Sequence, residues 1–170
     1  LLVIADTHYT AQARAPAGLA ERRTTLARSL LRKALFRKTA EGRTPDAVVL
    51  LGDLVDNGQA PAAAADLRTL AEDVLSTGIP VFAVAGNHDG RPELVHQAFG
   101  TRPGLHRIGN FGLLLFQDTP QGNEAYARDA EALDLPEQVA AAHPDLVLIA
   151  LQHHPIHPPI DVSYPYLLRN

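Results

Sequence analysis

Four short polar clusters carry side chains that bind divalent cations and move protons: Asp6-Thr7-His8, Gly52-Asp53-Leu54-Val55-Asp56-Asn57, Gly86-Asn87-His88-Asp89 and His153-His154-Pro155. Carboxylate oxygens, imidazole nitrogens and an amide oxygen are donors suited to hard and borderline divalent ions. Taken singly, each cluster has a plainer explanation. Asp6 could cap a turn with His8 on the surface, Asp53 could make an Asx-turn, and Asn87 could cap a helix opening near Pro92. Together, and in this order, they read as one metal-binding site.

Each cluster follows an apolar run. Leu1–Ala5, Ala47–Leu51, Pro80–Ala85, Phe111–Phe116 and Leu146–Leu151 are continuous runs containing β-branched or aromatic residues, the pattern of buried strands. Helical spacing predicts helices over Leu19–Ala40, Pro61–Ser76, Pro92–Phe99 and Pro136–Ala142, three of them opened by Pro. In the first, Leu19, Leu26 and Leu30 align, Leu31 and Leu35 widen the face, and Phe36 falls off it. Strand and helix alternate through the first half, which favours a mainly parallel sheet covered by helices. Residues 100–131 are irregular, with room for antiparallel strands of a second sheet. In an open parallel sheet, ligands bind outside the carboxyl ends of the strands. Asp6, Asp53, Asn87 and His153 each follow a run, so one sheet edge would gather all four clusters. Gly52 and Gly86 would let the chain turn sharply there.

The bulk properties agree with an α/β domain. A chain of 170 residues with 46% hydrophobic residues and a net charge of −4 supports one core, and has no basic track for nucleic acid. No apolar run is long enough to cross a bilayer. Without Cys there is neither a disulfide nor a thiolate metal site. The chain has no Met and opens inside an apolar run, so we expect a longer natural product.

The four clusters resemble the signature of the calcineurin-like metallophosphoesterases, D-x-H, G-D-x-x-D, G-N-H-D/E, H and G-H-x-H, with His153-His154-Pro155 similar to the H-x-P form of phosphodiesterase and purple-acid-phosphatase-like members. The fifth block does not occur before Asn170. The resemblance implies an α/β/β/α sandwich with a mainly parallel first sheet, truncated at its C-terminus, residues 1–170 forming a single incomplete domain. It implies two divalent metal ions, Mn, Fe, Zn or Co, held by Asp6 and His8 on the first, Asp53 bridging, and Asn87 and His153 on the second. His153 is taken over His154 from the position of the Pro. His88 is the implied catalytic residue, stabilising the phosphoryl oxygens or protonating the leaving alkoxide. Asp56 is expected to be a structural hydrogen-bonding residue, and Asp89 either to orient His88 or to be a solvated helix-start residue. His154 would face substrate or lie on the rim, and His157 would be a loop residue.

The implied reaction is hydrolysis of a small-molecule phosphodiester or phosphomonoester by a hydroxide that two metals activate, the pKa of bound water falling from about 15.7 toward about 7. No Ser lies in the clusters to act as a nucleophile. The alternatives are a non-catalytic scaffold of the same fold that binds protein partners, or a nuclease of that fold. The expected partner is a small phosphoester, with neither nucleic acid nor membrane, and the expected location is the cytoplasm.

Overall fold

Three parallel strands form the first sheet: β1 (Leu2–Ile4), β2 (Val48–Leu51) and β3 (Val81–Val84), in the order β1-β2-β3. The computed structural model describes residues 1–12, 24–122 and 125–154, and the chain divides into two compact units, Leu1–Thr101 and Arg102–Asn170. The sheet belongs to the first unit. Its central strand is inaccessible at Val48, Val49 and Leu50, which is why it reads as an unbroken apolar run rather than an alternating one.

The helices of this unit are α1 (Ala27–Ala40), entered through a 3-10 turn at Thr24–Leu26, α2 (Ala63–Leu75) and α3 (Pro92–Phe99). Pro92 starts α3, and Gly100 ends it in the left-handed region at φ 68°, where a residue without Cβ is least strained. The core joins Leu31 and Leu35 of α1 to Leu67, Leu70 and Val74 of α2, Val95 and Phe99 of α3, and the inner faces of the strands. The packed stripe of α1 differs from the expected one. Leu31 and Leu35 are buried, with Ala27 packed against the core, whereas Leu26 and Leu30 are exposed along with Phe36. A helix this rich in Leu offers two stripes one residue apart, and the i, i+4 row of 27, 31 and 35 is the one the core takes. Arg28 then faces α2, where it makes a bidentate pair with Asp73 at 2.6 and 3.0 Å. Residues 19–23 of the predicted helix lie outside the described residues.

The second unit holds β4 (Gly104–Ile108), β5 (Phe111–Leu115), β6 (Thr119–Gly122), β7 (Ala125–Ala127), α4 (Ala130–Ala142) and β8 (Val147–Leu151). β5 is central, antiparallel to β4 and parallel to β8, while β6 and β7 form a separate antiparallel pair. Residues 100–131 thus supply the antiparallel strands expected of them. The last apolar run corrects the single-edge expectation: β8 pairs with β5 in the second sheet instead of extending the first. A second correction concerns α4, which begins six residues before Pro136 and carries that Pro in its interior. An interior Pro costs about 3 kcal/mol. Ala132, Leu135 and Val139 of α4 pack on Leu114 and Phe116, and burying that stripe offsets the cost.

Candidate metal centre

The loops that leave β1 and β2 run side by side. Asp6 N–H donates to Gly52 O (3.1 Å), His8 N–H to Asp53 O (2.8 Å), Tyr9 N–H to Leu54 O (2.8 Å) and Asp56 N–H to Tyr9 O (3.1 Å). Tyr9 and Val55 close a last parallel bridge. This ladder continues the sheet past its strands and brings together side chains more than forty residues apart in sequence. His8 Nε2 lies 3.5 Å from Asp53 Oδ2 and 3.9 Å from Asp6 Oδ1. A first-row ion bound at 2.0–2.2 Å holds its ligand atoms at most about 4.4 Å apart, so both separations are within one ion's reach.

The backbone here is strained at the residues that matter. Asp6, His8 and Asp53 have φ of 55°, 43° and 50°, and among the described residues they are the only non-glycine residues with positive φ. Each costs on the order of 1–3 kcal/mol, a strain that concentrates at functional sites. Asp6 and His8 therefore converge through left-handed turns rather than through the alternation of an extended strand. Gly52, at φ 72°, takes the same conformation without strain ahead of Asp53.

The loop after β3 docks onto this pair. His88 N–H donates to Asp53 Oδ1 at 2.9 Å, and the His88 ring stands edge-on to His8 with centroids 4.7 Å apart. His88 Nδ1 is 2.9 Å from the Asp56 carbonyl oxygen. A carbonyl only accepts, so Nδ1 carries the proton, and Nε2 is the nitrogen that remains for chemistry. Asp56 is buried, and it offers a donor atom that lies with those of His8 and His88 inside a 4.8 Å group. It thus stands closer to the candidate ligands than its expected structural role required. Asn87 is exposed and lines a cavity of about 430 Å³ with Asp56, Asn57, Gln59, His88 and Gly90.

Asp89 departs from both expected roles. It is fully buried, and its carboxylate accepts from Leu54 N–H (2.7 Å), Val55 N–H (2.9 Å) and Gly86 N–H (2.8 Å). It fastens the Asp53 loop to the Asn87 loop and leaves His88 to be oriented by Asp56 O. Burial pushes its carboxyl up to about 6, against the opposite pull of the backbone donors. Gly58 completes the junction by donating to His88 O at 2.6 Å, with its Cα directly against the Asp89–Gly90 backbone.

His153 follows β8 and so belongs to the second unit, whereas Asp6, His8, Asp53, Asn87 and His88 belong to the first. His153 is half-buried, with its ring edge-on to His154 at 4.8 Å. His154 is only 2% exposed and stacks on Tyr126 at 3.7 Å, so it is a packed residue and not part of a rim. Pro155 and His157 lie outside the described residues. Tyr9 is buried in the first core.

The family model of calcineurin-like phosphoesterases matches residues 1–169. The chain belongs to the calcineurin-like phosphoesterase family. A cAMP/cGMP dual specificity phosphodiesterase of Mycobacterium tuberculosis is 30% identical over 178 aligned positions, covering 100% of this chain and 54% of that protein. A probable cyclic nucleotide phosphodiesterase of Rhodococcus erythropolis is 29% identical, covering 92% of this chain and 52% of that protein. The chain thus spans about half the length of these curated relatives. A crystal structure of a dimetal phosphatase from Danio rerio superposes with a TM-score of 0.69 at 19% identity, covering 92% of this chain and 69% of that one. This likeness shows the metallophosphoesterase fold. The family inferred from the four clusters is the one found.

The donor set fits the divalent ions of a calcineurin-like phosphoesterase. Asp6, His8 and Asp53 present carboxylate and imidazole donors of the kind such ions bind, already grouped within 4.8 Å. Sequence patterns did not point to a second polar cluster, around Asp118, Arg128 and Gln152, because its members are joined only by long-range pairing. No described helix is long and apolar enough to cross a membrane.

Proposed function

We propose that this chain carries the metal-binding core of a phosphoester hydrolase whose substrate is a small phosphodiester such as a cyclic nucleotide. One observation carries the reading: Asp6, His8 and Asp53 lie within reach of one cation on strained backbone that the packing of two loops enforces. Asp6 and His8 would hold the first of two divalent ions, Asp53 would bridge, and Asn87 and His153 would serve the second. His153 is preferred to His154 because His154 is enclosed against Tyr126. When bound, such ions supply Lewis-acid polarisation of the phosphoryl group and water of lowered pKa, near about 7.

The chain's own residues do the rest. Asp53 fixes the His88 backbone through its N–H, and Asp56 O fixes the ring tautomer. His88 Nε2, when protonated, donates a proton to the leaving alkoxide or a hydrogen bond to a phosphoryl oxygen. The neighbouring cavity, lined with the amides of Asn57, Gln59 and Asn87, would orient the rest of the substrate. Cyclic nucleotides are chosen because the two phosphodiesterase relatives are named for them. We further propose that residues 1–170 are part of one metallophosphoesterase domain in a longer protein.

The test uses the full-length protein. Metal analysis should find two divalent ions per chain, and cAMP, cGMP and bis-p-nitrophenyl phosphate should be hydrolysed faster than p-nitrophenyl phosphate. Absence of bound metal, or of any phosphoester turnover with Mn, Fe, Zn or Co supplied, would overturn the proposal. A faster monoester reaction would overturn its substrate.

A further inference from the structure

The second unit contains a buried polar network that encloses the peptide segment of His153. Arg128 donates through Nε to Asp118 Oδ1 (2.9 Å) and through Nη2 to Asp118 Oδ2 (3.2 Å), and the two side chains are 7% and 5% exposed. The guanidinium also lies over the Phe116 ring, 4.2 Å from its centroid. Burial raises the Asp118 carboxyl, but His154 and Arg128 outweigh it and hold that carboxyl below the usual range. His154 Nδ1 lies 3.6 Å from Asp118 Oδ2, beyond ordinary hydrogen-bond length.

What this network holds is the residue on either side of His153. Arg128 Nη2 donates to Gln152 Oε1 (3.0 Å), and Gln152 Nε2 donates to His154 O (2.9 Å). The Gln152 amide therefore straddles His153, tied to a buried ion pair at one end and to the next peptide at the other. Beyond it, the His154 ring is clamped on Tyr126 and meets the His153 ring edge-on. A solvated turn needs no such structure, since its amides bond water. Carboxylates and amides behind a metal-binding His set its orientation and are felt in metal affinity.

We propose that Asp118, Arg128 and Gln152 form a positioning brace that fixes the backbone on both sides of His153 and thereby aims its imidazole. The inference rests on the assignment of His153 as a ligand of the second ion. These residues touch neither substrate nor metal. They act through the peptide geometry of one ligand.

The test uses full-length protein loaded with Co(II), whose visible absorption reports ligand geometry, together with metal affinity by competition. Gln152→Met removes both amide bonds while keeping a similar length and adding no charge. It should weaken one of the two ions at least about tenfold and change the Co(II) spectrum, while the circular dichroism stays that of the wild type. Arg107→Ala, which breaks an exposed pair with Asp145 in the same unit, should change neither. If Gln152→Met does not fold, Arg128→Lys carries the test, because it keeps Asp118 paired with a cation but cannot reach both partners. Wild-type affinity and spectrum in the folded variant would overturn the brace alone. A wild-type protein that binds no metal would overturn the site and the brace together.

Discussion

Gly58→Ala tests whether the loops of the candidate metal centre are locked by close approach of backbones. A Cβ built on Gly58 would sit inside the Asp89 carbonyl and Gly90 nitrogen, backbone atoms that Asp89's three hydrogen bonds prevent from yielding. Gly58 does not have a positive φ, so Ala there brings no conformational strain of its own and the cost is steric. Overpacking of this kind costs about 1–3 kcal/mol. Separating the loops also lengthens the 2.6 Å bond from Gly58 N–H to His88 O, worth about 1 kcal/mol. The total is about 2–4 kcal/mol, read by urea denaturation. Because His88 must move, turnover should fall too, and a misplacement of about 1 Å can cost about a hundredfold. Gly42→Ala is the control: its φ is 66° with nothing within 4 Å of the new methyl, so it should cost about 1–2 kcal/mol from backbone strain and leave hydrolysis unchanged. Were Gly58→Ala as stable and active as the wild type, or no worse than Gly42→Ala, the locked-loop reasoning would fail.

Three further changes probe separate links. His88→Ala should lower turnover by about 10²–10⁴ with both metals retained, measured by phosphodiester hydrolysis beside metal analysis; loss of metal instead would make His88 a ligand. Asp89→Asn keeps an oxygen for two backbone donors but sets an NH₂ group against the third, so equilibrium unfolding should show a loss of about 1–3 kcal/mol. Asp73 lies below the usual carboxylate range because Arg28 donates to it. Its folded pKa is depressed, so the stability it adds is present above the unfolded value of about 3.9 and is lost as pH falls through the lower folded value. Asp73→Asn should therefore be less stable than wild type at neutral pH and approach it below about pH 4; a stability gap independent of pH would remove Arg28–Asp73 as an ionic contact.

The parts of this protein that could be read in advance share one physical property: their signal is local. β2 is a continuous apolar run because burial on both faces demands it, and α3 announces both of its ends with Pro92 and Gly100. The grouping of Asp6, His8 and Asp53 was legible because side chains that directly follow neighbouring parallel strands come together at one edge of the sheet. The failures are pairings. An apolar run such as 147–151 fits the centre or the edge of either sheet, and only its partner, β5, decides which. The two leucine stripes of α1 could be separated only by knowing what α2 presents. The sequence left Asp89 either orienting His88 or solvated at a helix start, because its actual surroundings are three N–H groups, two of them contributed by residues 54 and 55. The same reasoning explains why the brace behind His153 left no trace in the pattern: Asp118, Arg128 and Gln152 come from the ends of three different strands, and nothing in their spacing marks them. A ligand atom can be found from the strand that carries it, whereas the residues that aim it are found only from the contacts they make.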